Sequence, residues 1–169
     1  METTSLPNKP ERRIAVLTSS DAGARGERED VSGRLLSVKA AQLGSVVASV
    51  ILPDEPDLLE HQIRQWVADQ IDLILSTGGT GLGPRDVMPE VTSRLIEREV
   101  PGMAEAMRHA SLQYTPMGML SRGVVGISQT TLIINFPGKP QAIEELWGLI
   151  SPVIPHALDL IAGHTRHHL

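Results

Sequence analysis

Short apolar runs alternate with segments of helical periodicity through the first half of the chain. The runs at 13–18, 46–52 and 71–75 end at polar or turn-forming residues, which predicts three strands. Apolar residues at roughly helical spacing predict helices over 30–43 and 57–68, between those strands. Strands that alternate with helices are typical of a parallel sheet.

The ends of these two helices also have sequence signals. The first helix takes its apolar side from Val31, Leu35, Val38 and Leu43, and Gly44 follows as a C-terminal stop. Asp57 is a candidate N-terminal cap for the second helix.

In the second half of the chain, the pattern predicts short helices at 89–99 and 103–112 and strands at 123–127 and 131–136. A final helical region is predicted at 141–161. Three residues separate the two strands, a length that fits a hairpin and therefore an antiparallel pair. Pro152 and Pro155 should interrupt the final helix.

These elements predict an α/β fold of three layers, with a largely parallel sheet, an antiparallel edge hairpin and helices on both faces. The 169 residues suffice for one domain, which we place at 12–162. The two ends, 1–11 and 163–169, are predicted to be tails.

Composition and charge exclude several classes of function. No apolar run approaches the roughly 18 residues of a membrane span, and the N-terminus lacks the apolar core of a signal peptide. With no cysteine, disulfide and thiolate chemistry are excluded, and we expect a cytoplasmic protein. A net charge of -5 and only four aromatic residues argue against a nucleic-acid partner.

Polar segments follow the predicted strands, where parallel sheets bind ligands. They are 19–21, 53–55, 77–86 and 137–140. The longest contains Gly79, Gly81 and Gly83 at alternate positions and continues to Arg85 and Asp86, so it can hold a phosphate and a metal ion. The glycine spacing fits neither the dinucleotide-binding motif nor the P-loop.

The segment from Thr77 through Gly81, with Arg85-Asp86 and Pro89-Glu90, resembles the signature of the MogA and MoaB proteins of molybdenum-cofactor biosynthesis, a family that includes the G domain of gephyrin. Further matches occur in the same order: Ser20-Asp21, Asp30 with Ser32-Gly33, Pro53-Asp54-Glu55, Pro101-Gly102 with Ala104-Glu105, Ser121-Arg122 and Pro137-Gly138-Lys139-Pro140. The resemblance covers nearly all of residues 12 to 162.

This resemblance implies molybdopterin adenylyltransferase activity: ATP and molybdopterin give adenylyl-molybdopterin and pyrophosphate, with magnesium, in a homotrimer or hexamer that can contact other molybdenum-cofactor enzymes. Asp54 and Asp86 match the family's two important acidic positions, and both are candidate catalytic residues and magnesium ligands. The expected substrate- and phosphate-binding residues are Ser20, Asp21, Thr77, Gly78, Gly79, Thr80, Gly81, Arg85, Ser121, Arg122, Pro137, Gly138 and Lys139. Arg85 and Arg122 are candidate anion clamps, and Lys139 a point charge for phosphate.

Several alternatives stay open at this point. The glycine loop could be a plain strand-to-helix turn, Ser20-Asp21 a turn, and Asp54 or Asp86 a helix cap. Arg122 and Lys139 could be solvated surface residues, and His164, His167 and His168 belong to the predicted C-terminal tail. Met88 stands where the family commonly has threonine, so a non-catalytic molybdopterin-binding or scaffold protein of the MoaB type is the alternative function.

Overall fold

A computed structural model of the protein describes residues 10–164. It contains a six-stranded sheet in the order β2-β1-β3-β6-β5-β4. The strands are β1 (Arg13–Ser19), β2 (Ser45–Leu52), β3 (Leu73–Thr77), β4 (Arg98–Glu99), β5 (Val125–Ser128) and β6 (Thr131–Phe136). β2, β1, β3 and β6 are parallel, and β5 pairs antiparallel with both β6 and β4. The predicted three-layer, largely parallel fold is confirmed.

Seven helices and one 3-10 turn surround the sheet in the described residues. The helices are α1 (Asp21–Ala24), α2 (Val31–Ala40), α3 (Pro56–Ala68), α4 (Met88–Leu95), α5 (Pro101–Ser111), α6 (Pro140–Ile150) and α7 (Ile154–Ile161), and the 3-10 turn is Pro116–Leu120. The predicted break in the final helix is confirmed between α6 and α7. No helix in residues 10–164 is long and apolar enough to span a membrane.

Alternation along the central strands divides the core into two layers. In β1, Ile14 and Val16 pack on the side of α2, α5, α6 and α7, whereas Ala15 and Leu17 pack on the side of α3 and α4. Successive side chains of a strand point to opposite faces, so a fully buried strand feeds both layers. This accounts for the continuous apolar sequence of β1, which is buried from Ile14 onward.

The connections around β1 create a crevice at the carboxyl edge of the sheet. The chain leaves β1 through α2 to reach β2 on one side, then returns through α3 on the opposite face to β3 on the other side. Strand order therefore reverses between β1 and β3, and ligands bind at such a switch point in open α/β sheets.

The predicted apolar side of the first helix was partly wrong. Val38 is 68% exposed and Val31 is 47% exposed, whereas Leu36 and Ala40 are fully buried. Leu36 and Ala40 are four positions apart, so they share a face that the chosen spacing missed. Asp30 caps this helix, and its side chain accepts a hydrogen bond from the Gly33 amide.

Two other local predictions were wrong. The helix predicted over 89–99 ends at Leu95, because Ile96 turns to an extended conformation and the following residues form β4. The antiparallel pairing of β5 with β6 is as predicted, and the two-residue β4 extends this edge of the sheet beyond β5. Asp57 is not a cap, since α3 begins at Pro56 with Glu55 in the cap position.

The predicted tails extend beyond the described residues. Residues 1–9 and 165–169, which include His167 and His168, lie outside the described range. His164 is the last described residue, and its amide donates to the Asp159 carbonyl.

A buried polar network ties the sheet to α4. The Asn135 side-chain amide donates to Ser76 Oγ at 2.9 Å and to Thr92 Oγ1 at 3.0 Å. Its Oδ1 accepts from the Val124 amide at 3.1 Å. Ser76, Thr92 and Asn135 are at most 2% exposed, so each polar atom depends on the others for a partner. Asn135 thereby fixes both α4 and the segment entering β5.

Replacing Asn135 with leucine should lower the free energy of unfolding by about 3 kcal/mol, because the buried Ser76 and Thr92 hydroxyls and the Val124 amide lose their partner. The control is Gln65→Leu, the same type of change on the exposed side of α3, which should stay within about 0.5 kcal/mol of the parent. Urea unfolding of both variants measures the difference. Equal stabilities would contradict the structural role of Asn135.

Candidate functional site

The ends of β1, β3 and β6 approach each other closely at a glycine turn. Gly78 and Gly79 directly follow β3 with φ angles of +89° and +68°. A Cβ atom on Gly78 would lie 2.3 Å from the Ser19 carbonyl oxygen, and one on Gly138 would lie 3.3 Å from the Gly78 Cα. Only glycine combines this conformation with this backbone approach, so the turn requires Gly78.

A cleft of about 440 Å³ opens beside this turn, at the crevice between β1 and β3. Its walls come from the end of β1, the N-terminus of α2, the glycine turn and the start of α6. The lining residues are Thr18, Ser19, Ser20, Gly23, Arg28, Glu29, Asp30, Val31, Ser32, Thr77, Gly78, Gly138, Lys139 and Pro140. Of the residues predicted from sequence, it therefore contains Ser20, Thr77, Gly78, Gly138 and Lys139.

Two hydroxyl groups hold the turn after β6 in place. Thr77 Oγ1 donates to the Pro137 carbonyl at 2.8 Å, and Ser32 Oγ donates to the Gly138 carbonyl at 2.6 Å. The following helix, α6, has no side-chain cap, and the exposed residue Lys139 precedes it. A helix N-terminus with free amides and an adjacent lysine attracts anions.

Asp54 lies behind the cleft and is held at both oxygens. Ser19 Oγ donates to its Oδ1 at 2.5 Å, and the Asp21 amide donates to its Oδ2 at 3.1 Å. The Asp54 amide in turn donates to Asp21 Oδ1 at 2.9 Å. Asp54 is therefore an ordered residue that joins the loops after β1 and β2, and it does not cap α3.

Arg85 joins the glycine loop to the other two loops. Its guanidinium donates to both oxygens of Asp21, at 3.0 and 2.9 Å, and to Glu55 at 2.9 Å. The hydrogen bond from Arg85 lowers the pKa of Asp21, and the two carboxylates raise the pKa of Arg85. The Asp21–Arg85 pair thus links the loop of Asp54 to the loop of Asp86.

Asp86 closes the glycine loop but keeps one oxygen open. Its Oδ2 accepts from the Gly83 amide at 2.8 Å. A Cβ atom on Gly81 would lie 2.9 Å from that oxygen, so the loop wraps tightly around the carboxylate. Within residues 10–164, Oδ1 receives no hydrogen bond. Val87 occupies the cap position of α4, so Asp86 is not a helix cap.

Arg122 supports the glycine loop from the other side. Its Nε donates to the Gly81 carbonyl at 2.8 Å and its Nη2 donates to the Asp86 carbonyl at 2.7 Å. Its Nη1 pairs with Glu90, and its amide donates to the Thr80 carbonyl at 2.9 Å. These bonds fix the backbone of the loop on which Asp86 lies, so Arg122 is not merely solvated.

The remaining predicted residues lie outside the cleft. Ser121 and Pro137 line a separate, much smaller hollow between α5 and β6, whereas Thr80 is buried beneath the glycine loop. Met88 is fully buried in the core between α3, α4 and the sheet, and its amide donates to the Gly79 carbonyl at 3.1 Å.

The carboxylates provide limited material for a metal site. No three histidine, aspartate or glutamate side chains cluster suitably for a metal ion in the described part of the chain. Magnesium that arrives with nucleotide phosphates needs only one or two protein carboxylates. The open Oδ1 of Asp86 fits that requirement, whereas both oxygens of Asp54 already accept hydrogen bonds.

Several cleft residues were missed in the sequence prediction of the site. Arg28, Glu29, Asp30 and Ser32 come from the loop before α2 and from its first turn, and Ser19 precedes the predicted Ser20. Asp30 and Ser32 had already matched the family pattern, so that match was the signal for this wall. Nothing in the local sequence distinguishes Arg28 from a surface arginine.

The arrangement can bind a ligand that has both anionic and hydrogen-bonding groups. Arg28 and Lys139 supply positive charge, and neither forms an ion pair within residues 10–164. Hydroxyl groups and the carboxylates of Glu29 and Asp30 supply hydrogen-bond acceptors. Asp86 adds an ordered carboxylate at the neighbouring loop.

Known proteins match this chain in both its fold and its sequence motifs. The family model described as "Probable molybdopterin binding domain" matches residues 15–156. The molybdopterin adenylyltransferase of Helicobacter pylori is 40% identical over 155 residues, which cover 89% of this chain and 88% of the relative. The molybdenum cofactor synthesis protein cinnamon of Drosophila melanogaster is 39% identical, but this chain spans only 25% of its length.

A solved structure gives the same result. The MoaB molybdopterin biosynthesis enzyme of Thermus thermophilus superposes with a TM-score of 0.83 at 46% identity, covering 90% of this chain and 97% of the other. The matched region contains the cleft, the glycine loop and both aspartates. The chain therefore belongs to the probable molybdopterin binding domain family, whose MogA and MoaB members its motifs resemble.

Proposed function

We propose that this protein is a molybdopterin adenylyltransferase, which transfers the adenylyl group of ATP to the terminal phosphate of molybdopterin and releases pyrophosphate. The observation that carries the proposal is the joining of the Asp54 and Asp86 loops by the Asp21–Arg85 pair beside the cleft. Relatives named molybdopterin adenylyltransferase, 39 to 40% identical to this chain, support it. As a biosynthetic enzyme, we expect it in the cytoplasm.

The reaction brings two anions together, because a phosphate attacks the α-phosphorus of ATP. An enzyme for this step must position both substrates and neutralise their charge. Arg28, Lys139 and the amides at the start of α6 are suited to bind phosphate oxygens. Gly78 lines the cleft, so ligand atoms can approach the backbone of the glycine loop there.

Asp86, through its Oδ1 atom, would be the protein ligand of a magnesium ion that arrives with the nucleotide. The metal supplies Lewis-acid polarisation of the phosphoryl oxygens when bound. Asp54 orients Ser19 and Asp21 around the cleft through the bonds at its two oxygens. The two aspartates thus have different roles: Asp86 would hold the metal ion, whereas Asp54 holds Ser19 and the Asp21 amide in place.

Asp86→Asn should reduce the rate of pyrophosphate release by about 100-fold or more. The asparagine side-chain oxygen can still accept the hydrogen bond from the Gly83 backbone amide, but the negative charge of the carboxylate is lost. The assay uses purified protein with ATP, magnesium and molybdopterin, and also follows the adenylylated pterin. Asp57→Asn, an exposed change in α3, is the matched control and should retain the parent rate.

The same assay decides between the enzyme and the scaffold function. Tight pterin binding by the parent protein without any product would establish a non-catalytic binding protein. A normal rate in Asp86→Asn would remove Asp86 from the reaction.

Arg122→Lys should lower kcat by about 100-fold and leave the KM for ATP within about twofold. Lysine keeps the positive charge but cannot bond the Gly81 and Asp86 carbonyls simultaneously, so Asp86 is displaced. Arg94→Lys, at the surface pair with Glu60, is the control. An increase in KM without a change in kcat would instead identify Arg122 as an anion clamp.

We also expect the protein to be a homotrimer, as its resemblance to the MogA and MoaB proteins implies. Five large apolar side chains of the uncharged segment 112–120 are at least 41% exposed and would be suited to such an interface: Leu112, Tyr114, Met117, Met119 and Leu120. Light scattering at micromolar concentration should give three times the 18.3 kDa mass of the chain. A mass equal to a single chain across the concentration range would contradict the trimer.

A further inference from the structure

The hydroxyl groups that line the cleft have their protons committed to other parts of the protein. Thr18 Oγ1 is 2.9 Å from Asp30 Oδ2, and Ser19 Oγ is 2.5 Å from Asp54 Oδ1. An ionised carboxylate only accepts hydrogen bonds, so each hydroxyl must be the donor in its pair. A hydroxyl has a single proton, and neither group can donate a second bond to a ligand.

The same restriction holds for Ser32 in the first turn of α2 and for Thr77 at the end of β3. Ser32 Oγ is bonded to the Gly138 carbonyl and Thr77 Oγ1 to the Pro137 carbonyl, and a carbonyl oxygen also only accepts. Thr77 is completely buried, but Thr18, Ser19 and Ser32 retain 6, 4 and 9% exposure in the cleft lining. These last three side chains, which we term the acceptor wall, can offer a ligand only oxygen lone pairs.

Ser20 has the opposite polarity. Its Oγ accepts a hydrogen bond from the Gly23 amide at 3.0 Å, which leaves its own proton available. Ser20 is the only hydroxyl of the described cleft lining whose bonds within residues 10–164 leave it free to donate.

We propose that the acceptor wall binds the exocyclic amino group of a heterocycle and is not a phosphate site. This inference rests on the proposed function, in which both substrates contain an amino-substituted heterocycle. Phosphate oxygens are acceptors, so they meet the lone pairs of the wall unfavourably. They bind instead to Ser20, Lys139 and Arg28, which can donate.

For the acceptor wall to donate hydrogen bonds to a ligand, its hydroxyls would have to break their present bonds to protein acceptors. If Ser19 turned its proton to a phosphate, Asp54 would lose a bond to one oxygen; Thr18 and Asp30 are related in the same way. Losing a bond to a charged, partly buried group is unfavourable, so the native bonds fix the polarity of the wall. The acceptor wall consequently selects ligand groups that donate hydrogen bonds.

Two ligand pairs test this polarity and identify its source. ATP and inosine triphosphate differ at the purine amino group, and pterin and lumazine differ at the pteridine amino group. In one pair, titration calorimetry on the purified protein should show at least about tenfold weaker binding of inosine triphosphate or lumazine than of its amino counterpart. The carbonyl oxygen of that compound would face the hydroxyl oxygens of the acceptor wall. The pair that discriminates tells whether adenine or the pterin occupies the wall.

Variants of the lining separate the wall from the phosphate donors. In the variants Thr18→Val and Ser32→Ala, the affinities for the two compounds of the discriminating pair should differ by no more than about threefold. The affinity for inorganic triphosphate should stay unchanged. Ser20→Ala should weaken triphosphate binding and keep the discrimination between amino and oxo compounds. Circular dichroism confirms folding, and two independent wall variants prevent one local disruption from deciding the result.

The outcomes do not depend on turnover. Equal affinities within both ligand pairs would overturn the inference, as would loss of triphosphate affinity in the two wall variants. A protein that discriminates within a pair but releases no pyrophosphate would support the acceptor wall and contradict the proposed adenylyl transfer.

Discussion

The close backbone approach at Gly78 is the constraint on which the site depends. The chain leaves β3 in a left-handed conformation, with the Ser19 carbonyl and Gly138 directly against it. Any side chain at Gly78 would separate the ends of β1, β3 and β6, which together form the cleft. The phosphate-binding potential of a glycine loop is thus secondary here: the glycine first allows three strand ends to meet.

The polar groups around this turn are largely bonded to each other, and that bonding gives the site its order. Arg85 and Arg122 both support loops, through Asp21 in one case and through the Gly81 and Asp86 carbonyls in the other. Groups that are fixed before the ligand arrives need little reorganisation during a reaction, which is the basis of electrostatic preorganisation. Arg28 and Lys139, which form no ion pair within residues 10–164, remain for the ligand's charge.

Sequence predicted the sheet well because strand runs and turn residues are local signals, and the ends of parallel strands converge whatever the packing details. The sequence-based prediction failed where a local structure depends on partners that are distant in the sequence. β4 exists because Glu97 and Val100 donate to carbonyls of β5, a contact that two residues of sequence do not encode. The partners of Arg122 could not be predicted for the same reason, since Gly81 is 41 positions away.

Met88 departs from the family pattern, and its surroundings in the structure show what this departure changes. From sequence alone, replacing a threonine with methionine beside the glycine loop removes a hydroxyl from the expected site. In the structure, the side chain at this position packs in the core between α3, α4 and the sheet, and the Met88 amide donates to the Gly79 carbonyl. The substitution changes the packing beneath the loop but leaves the cleft lining intact, so it provides no argument against catalysis. The distinction between enzyme and scaffold therefore depends on Asp86, the proposed magnesium ligand, whose Oδ1 accepts no hydrogen bond within residues 10–164.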